Sequence, residues 1–78
     1  MTDAWGSLLV EVWDDEIVIT LPASIYAVTY YRPANSAGLF ARNFPKSDDH
    51  RVPMTQAEFL ARGWKLANEK ARELGWIV

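Results

Sequence analysis

An α+β fold is the expectation for this sequence: an antiparallel sheet of three to four strands with one amphipathic C-terminal helix packed on one face. Three observations lead to it. Apolar residues alternate in short runs over residues 8–32, the period-2 mark of strands. From Thr55 onward the apolar period becomes that of a helix. Proline, glycine and small polar residues separate the runs where turns are needed.

Residues 8–13, LLVEVW, place Leu8, Val10 and Val12 on one side and Leu9, Glu11 and Trp13 on the other. Asp14-Asp15 follows, and in residues 16–21, EIVITL, Ile17, Ile19 and Leu21 alternate with Glu16, Val18 and Thr20. Two such runs around a short acidic turn predict a hairpin. The turn lacks Asn-Gly or Asp-Gly, so its type stays open. Pro22 has no N–H for the ladder and ends the second strand. Residues 25–32, IYAVTYYR, are dense in β-branched and aromatic side chains and predict a third strand. One face holds Ile25, Ala27, Thr29 and Tyr31; the other holds Tyr26, Val28, Tyr30 and Arg32. Neither face is cleanly polar, which suits a central strand. PANSAG, residues 33–38, has turn composition. Residues 39–44, LFARNF, fit a short fourth strand, at an edge because of Arg42 and Asn43, and Pro45 closes it.

The helix is predicted over about residues 56–74. Thr55 followed by Glu58 reads as a capping box, the hydroxyl accepting from the Glu58 N–H and the carboxylate returning to the Thr55 N–H. Met54 and Phe59 have the spacing of a hydrophobic staple. Gly75 marks the far end, with Trp76 positioned to fold back on the last turn. At 100° per residue, Phe59, Leu60, Gly63, Trp64, Leu66, Ala67, Ala71 and Leu74 form one stripe. Gly63 lies within it, although a mid-helix glycine costs about 1 kcal/mol relative to alanine. Close approach of the helix backbone to a sheet aromatic or to a second helix is the expected reason, a glycine merely tolerated there the plain alternative.

A chain of 78 residues supports one domain, residues 1–78, with a thin stability margin. It has no cysteine, which excludes disulfides, thiolate zinc sites and a cysteine nucleophile. Four Trp, three Tyr and three Phe exceed what one small core needs, so some aromatics are expected at an interface or groove, or lining a half-exposed sheet. The net charge is −2 and unevenly placed. Residues 1–31 carry Asp3, Glu11, Asp14, Asp15 and Glu16 with no Lys or Arg; the remainder holds all eight basic residues and five acidic ones. No apolar run approaches the roughly 18 residues of a membrane span, and no signal-peptide pattern is present. The cytoplasm is the default expectation.

Two groups of residues are candidates for function. Asp48, Asp49 and His50 adjoin the only histidine's ring with two carboxylates. A small enzyme could use His50 as a base oriented by Asp48 or Asp49, but no serine sits in a recognisable nucleophile elbow. Neighbouring loop residues rarely converge on a metal, and no second histidine completes a zinc set. No metal and no cofactor are expected, and a solvated loop is the plain alternative. The second group is Tyr26, Tyr30, Arg32, Phe40 and Arg42, read as an interaction surface on the sheet. Aromatics flanked by arginines serve single-stranded nucleic-acid binders, though the acidic turn on the same sheet repels phosphate. One helix covers only part of one sheet face. The other face is left for water or for a partner, and its large side chains favour a partner. The leading expectation is a small non-enzymatic interaction or accessory domain that forms a homodimer or binds a protein partner. Single-stranded nucleic acid is the alternative.

Overall fold

The computed structural model describes residues 8–78; residues 1–7, Asp3 and Gly6 among them, lie outside the described part. Strands β1 (Leu9–Trp13), β2 (Glu16–Thr20), β3 (Ala27–Tyr31) and β4 (Phe40–Arg42) precede helix α1 (Gln56–Glu73). The sheet is an antiparallel meander in the order β1-β2-β3-β4, and α1 lies across β2 and β3. The α+β architecture expected from periodicity is the one observed, with β3 central and β4 at an edge.

The elements are slightly shorter than their sequence patterns, for local reasons. Ile25 is drawn out of β3 because its N–H donates to the Asp49 carboxylate at 2.9 Å. Asn43 takes a left-handed φ of 56° and stops β4 after Arg42. In the first hairpin Trp13 pairs with Glu16, leaving Asp14-Asp15 as a two-residue turn. Asp14 adopts φ 55° there, a conformation that Asp tolerates better than most residues.

The capping signals of α1 act as read, with one difference. Thr55 Oγ1 accepts from the Glu58 N–H at 3.1 Å. The Glu58 carboxylate does not return to Thr55; it pairs with Arg62 one turn on, at 2.8 Å. The Gln56 N–H donates to Asp48 Oδ1 at 2.8 Å, so a second side chain satisfies the helix start. Met54 and Phe59 are both buried. At the far end Gly75 has φ 80°, its N–H donates to the Arg72 carbonyl, and the Trp76 N–H donates to the Ala71 carbonyl. That pair of bonds is a Schellman motif, and it turns Trp76 back onto the core.

The core lies between α1 and one face of the sheet. Ile17, Ile19, Val28 and Tyr30 project from β2 and β3, with Leu21 and Tyr26 at their ends. The helix meets them with Phe59, Gly63, Ala67 and Ala71, spaced every four residues. Three of those four are small, so the bulk comes from the sheet and the helix backbone sits close. Trp64, at the margin of the predicted stripe, and Leu74, the C-cap past the last helical residue, stay 47% and 41% exposed. Trp64 still touches the core, its ring 5.8 Å from that of Tyr30.

Gly63 occupies the closest approach. A methyl group there would meet the Tyr30 hydroxyl at 3.5 Å and methyls of Ile19 and Val28 at 3.6 Å, which is ordinary contact. Gly63→Ala is therefore expected to hold or raise stability, by up to about 1 kcal/mol through helix propensity. Gly63→Leu overpacks the same space and is expected to cost about 1–3 kcal/mol or more. Urea unfolding of the pair separates the two effects; equal midpoints for Gly63→Leu and the parent would show that α1 is not held against the sheet at this point. A second substitution reads backbone strain. Ala23, in the β2–β3 connection, has φ 65°. An L-residue held there costs about 1–2 kcal/mol, and glycine's looser unfolded chain returns part of it. Ala23→Gly is expected to raise the urea midpoint by the equivalent of about 0.5–1 kcal/mol.

Candidate functional site

The loop between β4 and α1 places Asp48, Asp49 and His50 together in sequence and separates their roles. Asp48 caps the helix. Asp49 is buried, 5% exposed, and its carboxylate accepts four hydrogen bonds. The donors are the Ile25 N–H, the Arg51 N–H, and Arg51 Nε and Nη2, at 2.9–3.0 Å. The Asp49 N–H in turn donates to the Tyr26 hydroxyl, which donates to the Met54 carbonyl, both at 2.8 Å. His50 is exposed. Asp49 and Tyr26 thus form a knot that ties the loop to the start of β3 and to the approach to α1. The Gln56 side chain adds a bond to the Pro45 carbonyl. The three residues do not converge on a common point, and Asp49 has its acceptors filled from within the chain. Among the described residues no group of three or more His, Asp or Glu side chains is placed to hold a metal ion.

The five residues read as one interaction surface are divided by the structure. Tyr26 and Tyr30 are buried beneath α1, at 1% and 2% exposure, with Tyr26 stacked on Phe59 at a ring separation of 5.1 Å. That corrects their assignment to a partner-facing surface, because the small residues of α1 require large sheet side chains to fill the space. Arg32 lies past the end of β3, where its Nη1 donates to the Ser36 carbonyl at 2.9 Å and braces the following turn. Phe40 and Arg42 are exposed on the opposite face of the sheet. Register sets that placement: Phe40 pairs with Tyr31 and Arg42 with Thr29, so they share the face of Tyr31 and not that of Tyr30.

That uncovered face is ordered in cross-strand rows. One row runs Trp13, Glu16, Tyr31, Phe40. The next runs Glu11, Val18, Thr29, Arg42. A third holds Leu9, Thr20 and Ala27. Leu9, Trp13 and Phe40 are 47%, 60% and 53% exposed, and Ile25, just before β3, is 55% exposed. Tyr31 and Phe40 lean together with ring centroids 6.2 Å apart. The Arg42 guanidinium lies 4.7 Å over the Tyr31 ring and reaches Glu16 in an ion pair. Trp13 and Leu9 belong to this face in addition to the residues expected there, and their alternation with Val10 and Val12 is the sequence signal for it.

Open grooves flank α1. One of about 490 Å³ is bordered by Trp64, Lys65, Asn68, Glu69 and Arg72. Another of about 300 Å³ is lined by Leu8, Leu66, Arg62, Lys65 and Glu69. Their charged lining residues are of mixed sign. None of the described helices is long and apolar enough to cross a membrane.

Among the described residues Asp49, its partner Arg51, which the Asp49 carboxylate pushes up, and Tyr30 have shifted protonation. The Arg51 guanidinium, with the Ile25 and Arg51 N–H groups, holds the Asp49 carboxyl well below the usual carboxylate range. Burial pushes the Tyr30 phenol up. A depressed carboxyl favours the fold above its unfolded value of about 3.8, and that contribution is lost as pH falls toward the folded value. A raised phenol favours the fold below its ordinary 10.0, and that contribution is lost as pH rises past it. The melting temperature is therefore expected to drop on the acid side below about pH 4. Asp49→Asn is expected to lower it at neutral pH and to flatten that acid limb. An unchanged acid limb would remove Asp49 from its origin. Searches for similar sequences and folds return no match to a known family, to a characterised protein or to a solved structure, so function is argued from the geometry alone.

Proposed function

We propose that this chain is a non-enzymatic protein-interaction domain whose working surface is the uncovered face of the sheet. The observation that carries the reading is the row Trp13, Glu16, Tyr31, Phe40, with large aromatics at both ends left exposed while α1 covers the other face. Contiguous exposed apolar surface on a small domain marks interaction sites. Aromatic and arginine side chains, here Trp13, Tyr31, Phe40 and Arg42, are the types enriched where binding energy concentrates. The other candidate residues have structural roles: Asp48 caps a helix, Asp49 ties a loop, and Tyr26 and Tyr30 fill the core.

Single-stranded nucleic acid is the weaker reading of the same face. Binding a phosphate backbone needs a basic surface. Among the described residues this face carries Glu11, Glu16 and Arg42, one negative charge in excess. The stacking tyrosines that motivated the idea lie under the helix.

The test is the hydrodynamic mass of the chain, measured by sedimentation velocity for the purified protein and in a gently prepared extract of its own host. A double variant, Trp13→Ser with Phe40→Ser, is run beside it. Both side chains are exposed, so the variant is expected to lose no more than about 1 kcal/mol of stability. The wild type is expected above its chain mass in at least one setting, and the variant at chain mass in both. A wild type at chain mass in both settings overturns the proposal.

A further inference from the structure

The rows of the uncovered face have a property that goes beyond their being apolar: they are self-complementary under one rotation. Adjacent strands lie about 4.8 Å apart, so β1 and β4 are separated by about 14 Å across the sheet. A two-fold axis parallel to the strands, midway between β2 and β3 and just above the face, exchanges β1 with β4 and β2 with β3. It leaves each cross-strand row facing its own copy in reverse order. Trp13 then faces Phe40 of the partner subunit, and Phe40 faces Trp13 of the partner subunit. Glu11, at the β1 edge, faces Arg42 of the partner subunit. Val18 faces Thr29 of the partner subunit at the centre.

From this register, and resting on the interaction-surface reading above, we infer that the occupant of the face is a second copy of this chain, packed sheet on sheet about that axis. Two-fold association repeats every contact twice, so one complementary pair of edges gives two. The charges choose the axis. A two-fold axis perpendicular to the strands and running along the central row lays β1 on β1 and stacks Glu11 on its own copy, an unfavourable like-charge contact. The axis parallel to the strands places the acidic edge against the edge that carries the arginine. Sheets packed in this way stand about 10 Å apart, a gap that Trp, Phe and Tyr side chains from both faces fill. The Arg42 guanidinium has five N–H donors. Its pairing with Glu16 across Tyr31 leaves the side chain half exposed, at 50%, with donors available to a second carboxylate. The division of labour follows: aromatic contact supplies affinity, and the Glu11–Arg42 pairs, at the rim, set orientation.

A charge-reversal exchange tests the arrangement. Glu11→Arg and Arg42→Glu are made separately, and folding is checked by circular dichroism. The wild type is expected to be a dimer by sedimentation equilibrium. Each single variant places like charges opposite each other, and its dimer is expected to weaken about tenfold or more. An equimolar mixture of the two variants restores both unlike pairs in a heterodimer, whose affinity is expected to return toward that of the wild type. A local effect of replacing Arg42 beside Glu16 cannot produce that recovery on mixing. Variants that dimerise as tightly as the wild type, or a mixture that shows no recovery, overturn the arrangement while leaving the interaction surface in place. A purified wild type that stays at chain mass at the highest soluble concentration overturns self-association. The surface reading then rests on the extract and the aromatic double variant, so the two failures are distinguishable.

Discussion

The close approach of α1 to strands β2 and β3 is the constraint on which the rest of the molecule depends. Phe59, Gly63, Ala67 and Ala71 face the sheet along one ridge of the helix. Small residues there let the backbone descend until a methyl group at Gly63 would just touch Tyr30, Ile19 and Val28. A helix this close leaves little volume for its own side chains. The sheet must fill the core, and it does so with Ile17, Ile19, Val28, Tyr26 and Tyr30. Burial of apolar surface is the main favourable term in a chain this small. The identity of the core-facing strand residues therefore follows from the smallness of the helix residues opposite them.

Burying Tyr26 has a second consequence. A buried hydroxyl needs partners, and the Tyr26 hydroxyl finds them in the Asp49 N–H and the Met54 carbonyl. Those two atoms belong to the loop that delivers the chain to α1. The aromatic that fills the core thus also holds the helix entrance. Asp49 completes the tie by reaching the Ile25 N–H at the other side of the junction. Burial of the hydroxyl and burial of the carboxylate are linked, because each satisfies backbone groups that the other leaves nearby. The acidic pair beside the histidine is in this sense part of the architecture, and the electrostatic depression of Asp49 is a consequence of structural bonding.

With one face committed to α1, the other face inherits whatever the alternation leaves over. In an ordinary half-exposed sheet that remainder is polar. Here it includes Leu9, Trp13, Val18, Tyr31 and Phe40, with Arg42 drawn across the middle. Neither edge strand is long, and β4 has three residues, which limits strand addition at that edge. The face, and not the edge, is where apolar side chains gather. Its cross-strand order decides what sort of surface complements it.

Local signals in the sequence determined the elements themselves. Alternation placed β1 and β2 and assigned their two faces, because one side of each is consistently branched and apolar. Thr55, Phe59 and Gly75 set the bounds of α1 to within a residue, since caps and staples act over a single turn. Gly63 announced a close contact. The site was less legible. In β3 both faces are rich in aromatics and β-branched residues, so periodicity alone could not say which set lies under the helix. The facing of β4 relative to β3 depends on a register set by the intervening turn. A shift of one residue moves Phe40 and Arg42 to the other side of the sheet. Pairing of Phe40 with Tyr31 separated them from Tyr26 and Tyr30, and the same pairing put Trp13 and Phe40 at opposite ends of one row. Short-range order was written in residues close along the chain. Which residues share the open face was decided only when strands distant in sequence were brought into register, because side-chain direction in a sheet is a property of the pairing and not of the strand.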